Sequence, residues 1–556
     1  MLGSQHDLKK DQDSHAEEAP GDPGFGADAA LRLLVRKDAR CTGGHCVCVR
    51  VGEHRSARAG SRAQCGVCFG IASRFYPPPR KNSEPEAPPE PEPDLVQEVG
   101  EASSLPDDGR SPDRVLTSAN YTVEVYTSTT EQDGGQIESR EYRVSDGVTA
   151  STYRATGVGD CSFFDQTVTE PGVVWYYSVE SGEWVCETLA EGTFSSPVVV
   201  VELDSGTTYF FALPRTVVLR ENDSMEYLPE QDGSLCITRT EAGLQLTLTG
   251  HGLEEERAAD ALILTSPDKI MNWEVHNCAK AWVSYVTNDS MLWCYGGYYR
   301  ESPYNYIPTG TNYYYCCPAC YCIRGFLGRT PPCKEAPALT ILMLDTMAQR
   351  QNSYGYWATE PGSGWLQGDY GIGAGFYDTR FNTELLELYI RAAQKFGGNM
   401  FEDAIDHYLA FYTQYADTNH IATENGGWLI PDYWHPDEHT TPHISLNHQV
   451  SECLALYHAA ELLDREALFT LADRMLLAIE DTGSQWVMPD HNLYYSIKPD
   501  GTYVEGDYPY LTYNDLLHLR DYLNGIGRTD TQTLTDLMGE KLQWMINNGV
   551  TGYEKS

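Results

Sequence analysis

The segment from residue 426 to residue 448 holds the densest group of side chains that could do chemistry in this sequence. It reads Gly-Gly-Trp-Leu-Ile-Pro-Asp-Tyr-Trp-His-Pro-Asp-Glu-His-Thr-Thr-Pro-His-Ile-Ser-Leu-Asn-His. Pro431 and Pro436 interrupt any helix in the first half, which predicts a loop. A loop crowded with aromatic, imidazole and carboxylate side chains suits the binding of a sugar.

The second half of this segment predicts the start of a buried helix. Thr441 is a favourable N-cap, Pro442 fits the first helical position, and apolar residues then recur at helical spacing. His443 and Asn447 would share one face of the first turn, where free N–H groups and the helix dipole favour an anion such as a uronate carboxylate. The alternative is an ordinary capped helix with solvated polar residues.

Length and charge limit the classes of partner. The chain has 556 residues and a formal net charge of -41, so it can form two or three domains with an acidic surface. Such a surface repels nucleic acid and anionic lipid, and we expect no nucleic-acid partner. No stretch is long and apolar enough for a membrane span, and an anionic polysaccharide would need a local positive site.

The first 112 residues predict no folded domain. Residues 1–75 lack a hydrophobic period, and residues 76–112 form a Pro/Glu-rich linker that repels itself and stays extended. The N-terminus shows no signal pattern, yet a tether of this kind is typical of extracellular proteins. We therefore expect an extracytoplasmic or cell-surface protein whose translation start has been placed incorrectly, so that a signal sequence is hidden.

The remaining sequence predicts a multidomain α and β protein, in which a disordered N-terminal segment precedes an antiparallel β domain and a C-terminal α/α toroid. Residues 113–258 alternate short Val, Thr, Tyr and Phe runs with turns, which favours a supporting β domain. Over residues 259–556 the period is helical, with segments at 268–287, 336–350, 380–396, 400–415, 443–463, 465–480, 511–524 and 531–547. Helix pairs separated by aromatic loops are typical of a toroid whose loops at 355–378, 424–442 and 484–510 line a cleft.

Cysteine and histidine clusters raise the question of a metal site. The run Cys316-Cys317-Pro-Ala-Cys320-Tyr-Cys322, with Cys333 downstream, could bind zinc, but no second C-x-x-C or His pair stands at finger spacing. Disulfides or buried thiols are therefore the favoured interpretation. The spacing of His439, His443 and His448 spreads them around a helix, which favours separate roles. We predict no metal and no cofactor.

Three segments resemble one enzyme family. The stretch from Trp434 to Gln449, followed by Cys453-Leu-Ala-Leu-Tyr, resembles the C-terminal helical domain of D-glucuronyl C5-epimerases, where Thr-Thr-Pro and Leu-Asn-Gly lead into a helix. In the same order, Gly375-Phe-Tyr-Asp-Thr-Arg-Phe-Asn resembles the family's Gly-Trp-Tyr-Ser segment. Tyr494-Tyr-Ser, Asp507-Tyr and Asn514-Asp-Leu-Leu resemble its closing motifs. The similarity spans residues 340–525, with divergent sequence between the motifs.

The resemblance implies epimerisation at C5 of uronic acid residues in an acidic polysaccharide or oligosaccharide, by proton abstraction and reprotonation. It implies Tyr508, Tyr494, Glu438 and Asp437 as catalytic groups, since a base is needed on one sugar face and an acid on the other. The sequence departs at Glu438, which replaces a functional tyrosine, and at His439, which replaces a proline. The predicted substrate-binding residues are Tyr377, Arg380, Trp428, Trp434, His439, His443, Asn447, Tyr495 and Asn514.

The departure at Glu438 leaves three alternatives open. A polysaccharide lyase would use the same C5 carbanion to expel the C4 oxygen. A glycoside hydrolase would use a carboxylate pair such as Glu424 with Asp437 or Glu438. A surface carbohydrate-binding protein would have lost catalysis. The sequence does not determine the polysaccharide, its linkage or the oligomeric state.

Removal of residues 1–100 should leave the folding of the remaining chain unchanged, because a Pro/Glu linker and an aperiodic basic segment offer no core to share. Thermal unfolding of the full chain and of residues 101–556 should give Tm values within about 1 °C of each other. A drop of many degrees in the truncated protein would contradict this prediction.

Overall fold

The computed structural model of this protein describes residues 108–132, 135–253, 256–274, 279, 282, 291–328 and 333–555. These residues form a large antiparallel sheet domain followed by C-terminal helices, as the sequence predicted. The segment predicted to be disordered lies outside the described residues, except for residues 108–112.

The first half of the described chain consists of strands that, apart from β17, pair in two sheets. The main sheet runs in the order β1-β2-β3-β4-β14-β10-β11-β18-β16-β15, and β9 joins it through β10 while carrying β6 and β7. The second sheet runs in the order β5-β13-β12-β8. The bounds of these strands are β1 (Arg114–Thr117), β2 (Thr122–Gln132), β3 (Gly135–Val144), β4 (Thr149–Thr156), β5 (Gly159–Val168), β6 (Gly172–Ser178), β7 (Glu183–Thr188), β8 (Gly192–Phe194), β9 (Val198–Leu203), β10 (Thr208–Arg220), β11 (Ser224–Tyr227), β12 (Ser234–Thr240), β13 (Gly243–Leu253), β14 (Arg257–Ser266), β15 (Met291–Cys294), β16 (Gly297–Glu301), β17 (Tyr306–Ile307) and β18 (Tyr313–Cys316).

Strand β9 shows why the main sheet is buried on both faces. All six of its residues, Val-Val-Val-Val-Glu-Leu, are buried. Val199 and Val201 join the core shared with the second sheet, whereas Val198 and Val200 join the core shared with the helices. Because successive side chains of a strand point to opposite faces, the main sheet forms a middle layer between the second sheet and the helices.

The main sheet continues past residue 258, where the sequence predicted the end of the β domain. Strand β14 crosses this position, and β15, β16 and β18 add residues 291–316 to the same sheet. The apolar run of β14 is nearly continuous because the strand is buried on both faces, so its period does not distinguish a strand from a helix. Of the helix predicted at 268–287, residues 268–274 are not helical, residues 279 and 282 are helical, and the others lie outside the described residues.

The second half of the described chain is helical, and seven of the predicted segments match helices within a few residues. The short helices α1 and α3 were not predicted. The helices are α1 (Cys322–Leu327), α2 (Glu335–Ala348), α3 (Gly364–Tyr370), α4 (Thr379–Phe396), α5 (Glu402–Asn419), α6 (Leu446–Leu463), α7 (Glu466–Thr482), α8 (Leu511–Gly525) and α9 (Gln532–Asn547). Two-residue strands lie between them: β19 (Gly362–Ser363), β20 (Tyr377–Asp378), β21 (Ile421–Ala422), β22 (Trp428–Leu429), β23 (Tyr433–Trp434), β24 (Ile444–Ser445), β25 (Ser496–Ile497) and β26 (Tyr503–Val504).

Helix α6 is the central helix of this part of the chain. It packs against α4, α7 and α8, and most of its residues are buried. The predicted helix start at Thr441 and Pro442 was wrong, because α6 begins at Leu446 after an extended Ser445. His443 therefore precedes the helix and does not share a helical face with Asn447. The closure of the helices into an α/α toroid stays a prediction.

A buried carboxylate ties the helices to the main sheet. Asp345 on α2 accepts two hydrogen bonds from the Arg114 guanidinium of β1, at 2.7 and 2.6 Å. It also accepts a 2.7 Å hydrogen bond from the Tyr142 hydroxyl of β3 and a 2.8 Å hydrogen bond from Gln349. These bonds satisfy both carboxylate oxygens, so the buried charge of Asp345 is compensated.

Replacement of this carboxylate should destabilise the protein. Asp345→Ala leaves the buried Tyr142 hydroxyl and the Arg114 guanidinium without their acceptor, which should cost about 2–3 kcal/mol of unfolding free energy. Asp536→Ala, at an exposed position of α9, is the matched control and should change stability by no more than about 0.5 kcal/mol. Urea unfolding of both variants tests the contrast, and equal losses would contradict a specific role for Asp345.

Candidate functional site

The three predicted cleft loops, or residues directly next to them, contact one another. β20 pairs with β23, so that Tyr377 lies opposite Trp434, and β24 pairs with β25, so that Ser445 lies opposite Ser496. The Thr440 N–H donates a 2.9 Å hydrogen bond to the carbonyl of Tyr370. The sheet domain also contacts these loops, because β17 pairs with β19. Segments distant in sequence therefore build one region.

His443 lies at the centre of this region and contacts a phenol on one side and a carboxylate on the other. Its imidazole is 3% exposed. Nδ1 lies 2.9 Å from the Tyr370 hydroxyl oxygen. Nε2 lies 3.2 Å from Oδ2 of Asp432, although it makes no aligned hydrogen bond within the described residues. We call Asp432, His443 and Tyr370 the His443 relay.

Asp432 is the charged end of the His443 relay. It is 0% exposed and accepts hydrogen bonds from the Ser445 N–H at 2.8 Å and from the Ser445 hydroxyl at 2.5 Å. Burial opposes ionisation, but the His448 and His443 imidazoles and the Ser445 hydroxyl together hold the pKa of Asp432 below its usual value. A carboxylate beside Nε2 favours a proton on that nitrogen, which leaves Nδ1 of His443 as the acceptor for the Tyr370 proton.

Aromatic rings surround His443. Their centroids lie 5.5–5.8 Å from the imidazole centroid, and they belong to Trp365, Tyr370, Tyr433 and Tyr495. Tyr508 extends the group, with its ring 5.7 Å from that of Tyr495. Four of these rings are half-buried and so reach the surface: Trp365, Tyr370, Tyr495 and Tyr508. We call these four residues the aromatic pocket; apolar faces with hydroxyl edges suit a sugar ring.

The Tyr370 phenol loses its proton only if a neighbouring group accepts it. Burial, with a smaller contribution from Asp369, raises the pKa of Tyr370 to about 12. The phenol is therefore protonated at neutral pH and, with the His443 proton on Nε2, donates to Nδ1. If His443 accepts that proton, Asp432 stabilises the resulting imidazolium, so the relay can supply a general base at the pocket.

Deeper polar side chains lie behind the relay. Nδ1 of His448 lies 2.8 Å from the Thr379 hydroxyl and 3.8 Å from Oδ2 of Asp432. The Tyr412 hydroxyl donates a 2.5 Å hydrogen bond to Glu452. Burial lowers the pKa of His448 to about 4 and raises the pKa of Glu452 to about 8. At neutral pH both are uncharged, and Asp432 carries the charge of this group.

The structure brings one of the predicted catalytic residues to the aromatic pocket. Tyr508 belongs to the pocket itself. Tyr494 is adjacent to Tyr495 in sequence, but its ring packs 5.3 Å from Tyr503. Asp437 is 87% exposed, and Glu438 is also exposed in the same loop. The catalytic roles of these four residues stay predictions.

Some of the predicted substrate-binding residues are committed to the core. His443 and Tyr495 lie at the site described above. Tyr377 is 0% exposed, and its hydroxyl lies 3.0 Å from that of Tyr408. Arg380 binds Asp515 at 2.7 and 3.1 Å and Glu384 at 2.8 Å. Both side chains are buried and engaged by these partners, and their roles in substrate binding stay predictions.

The other predicted binding residues lie outside the aromatic pocket. Both faces of Trp428 are covered, by the His420 ring at 3.8 Å and the Arg474 guanidinium at 4.3 Å. The rings of Trp434 and His439 face each other edge to face, with their centroids 6.5 Å apart. The last two residues are Asn447, which is 2% exposed, and Asn514, whose Oδ1 accepts a hydrogen bond from the Glu554 N–H.

Sequence reasoning missed Tyr370, Asp432, Tyr433 and Trp365. A signal for Tyr370 exists, because Ser363 caps α3 by accepting from the Leu366 N–H, and Gly371 ends the helix with a φ of 76°. This helix could thus have been located from the sequence Ser-Gly-Trp-Leu at residues 363–366 and from Gly371. Asp432 stood within the loop that drew attention first, but nothing in its sequence context shows that it is buried.

Cysteines in the described part of the chain are mostly free thiols. Cys333 is disulfide-bonded. The thiols of Cys316, Cys317, Cys320 and Cys322 are free, and the first three are buried. No group of three or more His, Cys, Asp or Glu side chains could hold a metal ion within the described ranges. None of the helices described is long and apolar enough to cross a membrane.

No protein-family model matches this sequence, and no curated protein matches it. Among solved structures, cellobiose 2-epimerase from Spirochaeta thermophila is similar at 17% identity and a TM-score of 0.31, covering 41% of this chain and 57% of that one. Unsaturated glucuronyl hydrolase from a Bacillus species is similar at 12% identity and a TM-score of 0.29, covering 41% and 67%. A family 76 glycoside hydrolase from a bovine Bacteroides thetaiotaomicron strain is similar at 11% identity and a TM-score of 0.31, covering 76% and 77%. These similarities are too weak to identify the fold or the function.

Glu452 should make stability depend on pH. Burial raises the pKa of Glu452 from its usual value of 4.5 to about 8 on folding, so the native state holds a proton that the unfolded chain releases above pH 4.5. The contribution of Glu452 is therefore present at low pH and is lost as pH rises toward 8, by about 1.4 kcal/mol per pH unit. Glu452→Gln, which keeps an acceptor for Tyr412 and carries no charge, should lack this loss.

Urea unfolding of both proteins between pH 6 and pH 8 measures the effect. Relative to the original protein, the unfolding free energy of Glu452→Gln should increase steadily from pH 6 to pH 8. Taking the difference between the two proteins cancels the titration of His448, which they share. Parallel stability curves would show that Glu452 is already ionised at pH 6.

Proposed function

We propose that this protein is a carbohydrate-modifying enzyme that transfers a proton at a ring carbon of a sugar, and that its reaction is C5 epimerisation of uronic acid residues in an acidic polysaccharide. One observation carries the proposal: the Asp432–His443–Tyr370 relay ends at a half-buried phenol inside the aromatic pocket. The resemblance of residues 340–525 to D-glucuronyl C5-epimerases supplies the specific reaction. An extracytoplasmic or cell-surface location belongs to the same proposal.

The pocket offers two phenols for the two proton transfers of an epimerisation. Tyr370 is coupled to His443, so it can pass its proton to Nδ1 and act as a base toward C5. The C5–H bond then breaks, its electron pair moves into the adjacent carboxylate to give an enediolate, and a proton returns to C5 from the opposite face. Tyr508, across the ring of Tyr495, is the group we assign to that opposite face.

The relay is well suited to the unfavourable first step. Proton abstraction beside a carboxylate needs a base that is stronger than a free carboxylate and an environment that does not add further negative charge. His448 and Glu452 are neutral at pH 7, so Asp432 is the charge that stabilises an imidazolium at His443. Asp432 and His443 are themselves buried, which strengthens this electrostatic contribution relative to water.

A second candidate is proton transfer at a carbon of a neutral sugar. A uronate carboxylate needs a positive group, and the buried cations of the helices are engaged: Arg380 by Asp515 and Glu384, and Lys541 by Asp507. This engagement favours a substrate without a carboxylate. The polarising group for a neutral substrate would then be a donor such as the Tyr508 hydroxyl or the His443 imidazolium.

Deuterium exchange distinguishes these reactions. The protein is incubated in deuterated water with uronate polysaccharides and, separately, with neutral oligosaccharides, and NMR follows incorporation at each ring carbon. Exchange at C5 of a uronate supports the epimerase, and exchange in a neutral sugar supports the second candidate. An unsaturated, ultraviolet-absorbing product would establish a lyase, cleavage without exchange would establish a hydrolase, and binding without either would leave a surface carbohydrate-binding protein.

Substitution of the two phenols should abolish most exchange while sparing binding. Tyr370→Phe and Tyr508→Phe each remove one proton carrier and keep the ring, so the rate should fall by about a hundred- to ten-thousand-fold. Tyr522→Phe, in a half-buried tyrosine of α8 outside the pocket, is the matched control and should keep its rate. Near-normal exchange in Tyr370→Phe would overturn the role of the His443 relay.

A further inference from the structure

Two buried side chains contact the His443 relay from behind without reaching the aromatic pocket. Thr379, the first residue of α4, is 0% exposed, and His448, in the first turn of α6, is 5% exposed. The Thr379 hydroxyl lies 2.8 Å from Nδ1 of His448. The two residues therefore link the starts of two helices directly behind Asp432.

Thr379 bonds the backbone of Asp432, and His448 lies beside its carboxylate. The Thr379 N–H donates a 3.0 Å hydrogen bond to the Asp432 carbonyl, and the Asp432 N–H donates a 3.0 Å hydrogen bond to the His443 carbonyl. Oδ2 of Asp432 faces both imidazoles, with Nε2 of His443 at 3.2 Å and Nδ1 of His448 at 3.8 Å. The Ser445 hydroxyl donates a 2.5 Å hydrogen bond to the same oxygen, so Thr379 and His448 act on its position together with Ser445.

The position of Oδ2 decides which nitrogen of His443 carries the proton. The contact between Nε2 and Oδ2 has no aligned hydrogen bond to fix it, so it depends on where the carboxylate is held. If Oδ2 moved away, the proton would be freed to sit on Nδ1, and His443 could no longer accept from Tyr370. Neighbouring groups that orient a functional histidine are known to affect activity by about ten- to a hundred-fold at metal sites.

We propose that Thr379 and His448 are positioning residues, which hold the Asp432 carboxylate against Nε2 of His443 and thereby keep Nδ1 available to the Tyr370 proton. The catalytic consequence rests on the proposed function, whereas the effect on the His443 tautomer does not. Neither residue touches the substrate. The bland alternative is that both residues only fill the core, in which case their substitution lowers stability and leaves the His443 tautomer unchanged.

Paired variants separate positioning from packing. Thr379→Val keeps the shape of the side chain and removes the hydroxyl, whereas Thr379→Ser keeps the hydroxyl. His448→Asn places an amide where Nδ1 lies, whereas His448→Gln places it farther along the side chain. His458→Asn is the control, since His458 is half-buried with Nδ1 2.7 Å from Glu387 and lies outside the relay.

Imidazole nitrogen NMR of the full chain reads the tautomer of His443 without any substrate, with His443→Asn used to assign its signals. We expect the proton on Nε2 in the original protein, in Thr379→Ser, in His448→Asn and in the control. We expect a mixture with the Nδ1-protonated form in Thr379→Val and His448→Gln. If Thr379→Val does not fold, the His448 pair decides the question by the same criterion.

The exchange assay adds a second reading. Thr379→Val and His448→Gln should lower kcat about tenfold or more with KM nearly unchanged, because the substrate contacts are intact. An unchanged His443 tautomer in the folded variants would overturn the positioning role, whether or not the protein turns over a sugar. A shifted tautomer in a protein that shows no exchange with any sugar would uphold the positioning role and overturn the proposed function instead.

Discussion

The buried charge of Asp432 is the constraint on which the candidate site depends. A carboxylate that is 0% exposed must be compensated, and the groups that compensate it come from the segment that follows it. Ser445 donates both its N–H and its hydroxyl, which keeps residues 444–445 extended and delays the start of α6 to Leu446. The extended pair forms β24, which pairs with β25 and so places Tyr495 beside His443.

The Asp432 charge can act on His443 because two neighbouring buried groups are uncharged. His448 and Glu452 are as deeply buried as Asp432, but burial shifts the pKa of each toward its uncharged form. Of the three buried groups Asp432, His448 and Glu452, Asp432 is therefore the one that acts on His443 as a charge. In the low dielectric of this interior, an interaction of this kind has a large effect on where a proton resides.

The sheet domain contributes to the site mainly by fixing the helices. Asp345 joins α2 to β1 and β3, and strand β9 divides its side chains between the two cores. The pairing of β17 with β19 is the direct contact, since β19 leads into α3, the helix that carries Tyr370 and Trp365. Without a held α3, the Tyr370 phenol would have no fixed distance to His443.

The sequence by itself determined most of the regular elements, because helical and strand periods are local properties: α2 and α4–α9 match predicted segments, and antiparallel strands lie in the predicted β region before residue 258. It also located the loop that contains Asp432, because Pro431 and Pro436 exclude a helix there. Only the tertiary structure decided which polar residues are functional candidates. Tyr377 is of the same residue type as Tyr370 and differs from it in burial and in its long-range partner. Such partners join residues tens of positions apart, and no local pattern specifies them.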